Sequence, residues 1–191
     1  MNRLITFEGI DGCGKTTQIN LLSKYLTNRG IKNTVVREPG GTVVSEKIRD
    51  ILLDNNNNIN EYAETLLFLS ARSQLVSEVI SKNIADKKIT LCDRYTDSTL
   101  AYQGYGRNLD KKRIKILNNF ATFNIKPDLT FVLDISLSES IKRLSDNDSL
   151  DRMEESGKEF LSKVQKGYRE IAQKNVKRYK LIDCNKKTIE D

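Results

Sequence analysis

Residues Gly9-Ile10-Asp11-Gly12-Cys13-Gly14-Lys15-Thr16 match the spacing G-x-x-x-x-G-K-[ST]. The strand-like run Leu4-Ile5-Thr6-Phe7 precedes this string, and a helical pattern follows it. Such a string commits the chain to a strand, a phosphate-holding loop and a helix in immediate succession. Its glycines let successive backbone N–H groups turn inward, and the helix N-terminus adds its own donors. The spacing predicts a nucleotide-binding loop from Gly9 to Thr17, with Lys15 reaching the β- and γ-phosphates and Thr16 ligating Mg²⁺.

The rest of the chain alternates in the same manner. Continuous apolar runs read as buried parallel strands at about 3–7, 33–37, 88–92, 129–134 and 180–184. Helical patterns lie between them at about 15–29, 43–53, 60–82, 110–122, 138–145 and 155–177. Gly30 is placed to stop the first helix, and Asn60 to cap the third. The two prolines, Pro39 and Pro127, lie outside element interiors. The expected fold is α/β, a five-stranded parallel sheet with helices on both faces. Ligands in such sheets bind beyond the carboxyl ends of the strands, and each motif below falls at one of those ends.

Composition narrows the chemistry. The 191 residues contain no histidine, which excludes Ser-His and Cys-His nucleophile pairs and histidine metal sites. Cys13, Cys92 and Cys184 are scattered and read as reduced thiols of a cytoplasmic protein. No apolar run reaches the length of about 18 residues that a membrane span needs. Because a strand-like run starts almost at once, no signal or transit peptide is expected. A net charge of +6 suits a protein that handles anions, without choosing between nucleotides and nucleic acid.

The loop specifies a nucleotide but not a reaction. A guanine site would want N-K-x-D, and Asn185-Lys186-Lys187-Thr188 lacks the carboxylate. A motor-type ATPase would end its third strand in Asp-Glu, whereas here the third strand ends in Asp93-Arg94. Asp93 can hold magnesium through a water. Arg94 is a forked cation suited to a second phosphate group. Phe68 and Arg72 share one face of a helix. They could stack a base and bond its carbonyl, although the residues alone read more simply as a core ring and a surface arginine.

At this point the chain resembles the thymidylate kinase family. The matching strings are Phe7 to Thr17, Arg37-Glu38-Pro39-Gly40-Gly41-Thr42, Phe68 with Arg72, Asp93 to Gly104, and Leu150-Asp151-Arg152. The resemblance implies a P-loop kinase fold in one domain with a small mobile lid at about 143–157. It implies transfer of the ATP γ-phosphate to dTMP, with Mg²⁺, in a homodimer, for dTTP synthesis. Asp11 would meet the dTMP 3′-hydroxyl and help position the metal. Arg94 would clamp the dTMP phosphate, with Arg49 as a second candidate. Phe68 would stack on thymine, Arg72 would bond its O4, and Tyr102 would exclude a ribose hydroxyl. Glu38, Pro39, Ser98 and Gln103 would complete that pocket.

The family divides by where it carries an arginine for ATP. The loop positions Ile10, Asp11, Gly12 and Cys13 hold none, so the lid should supply it, through Arg152 first and Arg143 second. Between Leu144 and Asp151 the lid has no basic residue and carries Asp146 and Asp148, which departs from the usual bacterial pattern. The chemistry needs no strong base, because a phosphate monoester with a second pKa near 6 is already a nucleophilic oxyanion. Lys15, Asp11, Arg94 and Arg152 are the expected catalytic set. Cys13 at a helix N-terminus reads as a space-filling thiol.

Two other readings compete. One is a kinase for a different nucleoside or nucleotide on the same scaffold, which the Asp93 to Gln103 string opposes. The other is a nucleic-acid-binding NTPase using the basic segment Lys158 to Lys180, which reads more simply as a solvated helix face.

Overall fold

The computed structural model describes residues 4–144, 151–185 and 187–189. Five parallel strands form one sheet in the order β2-β3-β1-β4-β5. They are β1 (Leu4–Glu8), β2 (Asn33–Arg37), β3 (Ile89–Asp93), β4 (Leu129–Asp134) and β5 (Tyr179–Asp183). The central strand β1 pairs with β3 on one side and β4 on the other, with Thr6 opposite both Cys92 and Thr130. The chain therefore reverses its direction of growth across the sheet at β1. A crevice opens there, beyond the strand ends.

Side-chain alternation assigns the two faces. Phe7 of β1 and Ile89 and Leu91 of β3 pack with Ile19 and Leu26 of α1 (Lys15–Asn28). Leu4 and Cys92 instead pack with Leu75, Val76 and Ile80. Successive residues of a strand point to opposite faces, so helices cover both. A larger cluster joins Val132 and Leu133 of β4 to Val164, Tyr168 and Ile171 of α8 (Lys158–Gln173).

Side-chain caps open two of the helices that line the site, the second at the expected Asn60. Thr42 Oγ1 accepts from Ser45 N at the start of α2 (Val43–Leu53). Asn60 Oδ1 accepts from Tyr62 N and Ala63 N at the start of α3 (Glu61–Leu75). Such a cap contributes about 1 kcal/mol. The remaining helices are α4 (Ser81–Ala85), α5 (Thr96–Thr99), α6 (Lys111–Ala121) and α7 (Leu137–Leu144), with a 3-10 turn at Glu154–Ser156.

Two features depart from the sequence reading. The helix expected over 60–82 is helical through Ala85, but a π-helical stretch at Val76–Ile80 joins α3 to α4. A second π-helical stretch, Leu100–Gly106, continues α5 where no helix was expected. The centre of the expected lid, residues 145–150, lies outside the described residues.

Candidate active site

The loop after β1 is built around its glycines. Gly9 has φ +141°, and a Cβ there would come within 2.4 Å of the Leu133 carbonyl oxygen. Gly12 has φ +73° and lies under Ser140 of α7. Only glycine adopts these conformations without strain. Lys15 is buried and its Nζ donates to the carbonyl oxygens of Gly9 and Ile10, each at 3.2 Å. It is held across the loop, where phosphates would replace those carbonyls. Thr16 Oγ1 donates to Asp93 Oδ2 at 2.9 Å. A hydroxyl and a carboxylate oxygen thus meet at the loop exit, a hard-oxygen pair of the kind magnesium takes. Among the described residues no three His, Cys, Asp or Glu side chains cluster as a metal cage.

The loop opens onto a broad groove also lined by Gly14, Thr17, Cys13, Arg143 and Lys187. Arg143 of α7 donates from Nη1 to the Gly12 carbonyl at 3.1 Å and from Nε to Glu139. Arg152 lies elsewhere. Its Nε donates to Leu52 O at 2.7 Å and its Nη1 to Glu64 at 2.8 Å, drawn there by a buried carboxylate. Of the two arginines named for ATP, the one beside the phosphate loop is Arg143.

A second, smaller cavity adjoins the groove. Its walls include all ten residues assigned above to the acceptor: Asp11, Glu38, Pro39, Arg49, Phe68, Arg72, Arg94, Ser98, Tyr102 and Gln103. Arg94 sits at φ +67°, a conformation rare outside glycine that recurs at functional sites. The Arg94 amide donates to Phe7 O at 2.9 Å, and its side chain folds back over the phosphate loop. Nη1 donates to Gly9 O, Ser98 Oγ and Tyr168 OH, and Nη2 donates to Asp11 and to Tyr102 OH. Tyr102 OH in turn donates to Asp11 Oδ2 at 2.9 Å. Burial opposes ionisation of Asp11, but the charges of Arg94 and Lys15 outweigh it and hold its pKa down to about 2. Asp11 is thus held as an anion where the groove and the cavity meet.

Arg72 corrects the simpler reading of a surface arginine, because it is only 2% exposed. Nε donates to Glu38 Oε2, Nη1 to Thr99 Oγ1 and Asn118 Oδ1, and Nη2 to Tyr95 O. Nη2 also lies 2.7 Å from Glu38 Oε2. Burial raises the Glu38 pKa against the pull of Arg72, and no described residue bonds its Oε1. Phe68, one turn before Arg72, packs against the cluster that contains Tyr102 and Met153.

Several residues around the cavity carried no sequence signal strong enough to single them out. Glu8 is fully buried, and its oxygens accept from Tyr95 N, Ser98 Oγ and Tyr168 OH. Burial, with the like charge of Asp97, raises its pKa to about 7. A carboxylate closing an otherwise apolar strand was the available signal. Glu64, Asn118 and Tyr168 are likewise buried on helices whose patterns showed only amphipathicity.

With this geometry described, comparison with known proteins is informative. The family model for thymidylate kinase matches residues 7–191. A thymidylate kinase of Thermosipho africanus is 51% identical over 168 residues, covering 88% of this chain and 83% of the relative. One from a Thermoanaerobacter species is 48% identical over 181 residues, covering 95% and 89%. Among solved structures, thymidylate kinase from Ehrlichia chaffeensis superimposes with a TM-score of 0.79 at 36% identity, covering 95% of this chain and 86% of that one. The chain belongs to the thymidylate kinase family, and is an ATP-dependent nucleoside monophosphate kinase with a P-loop kinase fold.

Proposed function

We propose that this kinase moves the γ-phosphoryl group of magnesium-bound ATP onto the phosphate of dTMP, giving dTDP and ADP for dTTP synthesis. One observation carries the assignment of sides: Asp11, Glu38, Arg49 and Arg94 line both the groove and the cavity. Donor and acceptor phosphates would meet at those residues. The loop from Gly9 to Thr17 binds the ATP phosphates, with Lys15 on the transferring group and Arg143 alongside. Thr16, Asp93 through a water, and Asp11 are the residues that would hold magnesium. The ion, when bound, neutralises charge on the phosphate oxygens.

The acceptor needs no proton removed at neutral pH, because its oxyanion is already formed. The barrier is repulsion between phosphates and charge spread over the transferring group. Lys15, Arg94 and Arg49 offset that charge, and the cavity supplies alignment. Phe68 stacks on the base. Arg72 and Gln103 face its polar edge, Tyr102 crowds the sugar C2′, and Pro39, Glu38 and Ser98 close the pocket. Arg152, tied to Glu64 in this structure, would contribute from the lid at about 143–157.

Exposed apolar side chains on three helices support a homodimer. They include Val43 and Ile51 of α2, Tyr62 and Leu66 of α3, and Ile116 and Phe120 of α6, the last 83% exposed. Light scattering should return twice the chain mass, and a monomer at micromolar concentration would remove this reading. Among the described residues no helix is long and apolar enough to cross a membrane.

The deciding assay measures ADP release from Mg-ATP with dTMP, dUMP, UMP, dCMP, AMP and GMP, and with no acceptor. Release should strongly favour dTMP and be negligible without acceptor. Preference for another nucleotide would withdraw the roles of Phe68, Arg72 and Tyr102. Salt-sensitive binding to DNA would instead favour the nucleic-acid NTPase.

A further inference from the structure

Glu64 touches neither phosphate loop nor Arg94, yet it is completely buried in the first turn of α3. Its Oε1 accepts from Gln103 Nε2 at 2.9 Å and Arg107 Nε at 3.2 Å. Its Oε2 accepts from Arg107 Nη2 at 3.1 Å and Arg152 Nη1 at 2.8 Å. Burial opposes ionisation, but the hydrogen bonds of Arg107, Gln103 and Arg152 outweigh it and hold the carboxyl below its ordinary pKa. An ionised carboxylate offers acceptors only, so Gln103 can turn only its NH₂ toward it. The amide is planar, with nitrogen and oxygen on opposite sides of its carbon. With the nitrogen held at Glu64 by one of its two hydrogens, the oxygen on the other side of the amide is the end left for the cavity that Gln103 lines. No described residue donates to that oxygen.

We propose that Glu64 is a positioning residue for base selection, locking the Gln103 amide so that its carbonyl oxygen, not its NH₂, meets the acceptor base. This rests on the reading of the cavity as the dTMP base pocket. A carbonyl there matches thymine and uracil, whose N3 carries a hydrogen. It opposes cytosine, whose N3 presents a lone pair, because two facing acceptors leave both unpaired in a buried site. Arg107 and Arg152 keep Glu64 ionised. Arg152 also ties down the segment that brings Asp151 and Met153 to the cavity wall.

The test is the ratio of kcat/KM for dTMP to that for dCMP, measured within single preparations so that the folded fraction cancels. Glu64→Asp keeps a charge for the two arginines but draws it back from Gln103. Glu64→Gln lets the Gln103 amide take either orientation. Both should lower the dTMP/dCMP ratio by about tenfold or more. The dTMP/dUMP ratio should stay at the wild-type value, since both bases carry N3–H. In a Gln103→Ala background, Glu64→Asp should lower the dTMP/dCMP ratio no further. If Gln103→Ala lowers that ratio while the Glu64 variants do not, the locking role is overturned. A parallel fall in dTMP/dUMP, or a further fall in the double variant, overturns it too. If Gln103→Ala itself leaves the ratio unchanged, the base-pocket reading fails, and this role with it.

Discussion

Around the proposed acceptor cavity Arg72, Glu38 and Arg94 are already paired, whereas along the proposed donor groove many side chains stand open to solvent. Arg72 commits its guanidinium to Glu38, Thr99, Asn118 and the Tyr95 carbonyl before any ligand arrives. Arg143, by contrast, keeps a third of its side chain exposed, and Tyr25 on the same groove is 52% exposed. The cavity is much the smaller of the two. The difference follows from what each side must recognise. ATP brings three phosphates and a metal, so a loop of backbone donors and one lysine can hold it. A monophosphate must be told from its relatives by the edge and shape of one base, which requires fixed partners. The acceptor side should therefore tie function to stability, and the donor side should separate them.

The largest expected effect tests that separation. Lys15→Ala should lower turnover by about 10³-fold, roughly 4 kcal/mol of transition-state stabilisation. It should move the thermal midpoint far less than Arg72→Ala does. Arg72→Ala should destabilise the fold by about 3–5 kcal/mol in urea titrations, because Glu38 is left as an uncompensated buried carboxyl. A loss below about 1 kcal/mol would show that the acceptor side is not a structural hub.

Glu8 gives the comparison a pH signature. Its folded pKa of about 7 lies above the ordinary value of 4.5, so the folded state holds its proton longer than the unfolded state. Its contribution favours folding below about pH 4.5 and is lost as pH rises through about 7. Glu8→Gln should flatten the stability profile across that window. An unchanged profile would place the titration elsewhere. Smaller again, dUMP should remain a real but poorer substrate, by about 1–3 kcal/mol in kcat/KM, since only a methyl contact is lost. Equal turnover at low concentration would remove the methyl-fitting pocket. Last, Arg143→Ala should raise the KM for ATP by about tenfold, near 1.4 kcal/mol, and spare that for dTMP. Arg152→Ala should disturb dTMP through Glu64. If both arginines move only ATP, the two sides are not distinct in this respect.

Much of this was legible from local pattern. The phosphate loop, the parallel strands and the Asn60 cap each depend on residues close in the chain, and they stand within a residue or two of expectation. Arg72 was harder because its partners come from distant segments: Glu38 after β2, Thr99 in α5, Asn118 in α6. Nothing near Arg72 in sequence reveals that four acceptors converge on it. Glu64 is hidden in the same way, since an acidic residue in a first helical turn is ordinary on its own. The helical segment Thr96–Gly106 escaped because Thr, Ser and Gly are weak helix formers. Packing of α8 against 100–106 holds it instead.

That π-helical segment makes the pocket sensitive to chain length. A π turn carries more residues than an α turn, and here it brings Tyr102 and Gln103 to the cavity together. Deleting a single residue between Leu100 and Gly106 would let the backbone relax to an ordinary α-helix. Neighbouring positions would then stand about 100° apart around the axis, wider than in a π turn, so Tyr102 and Gln103 would splay apart. Sugar discrimination and base discrimination would be uncoupled in one genetic step, with no side chain at the pocket replaced. Among relatives, a one-residue gap at this place would therefore mark a changed acceptor more sharply than a substitution.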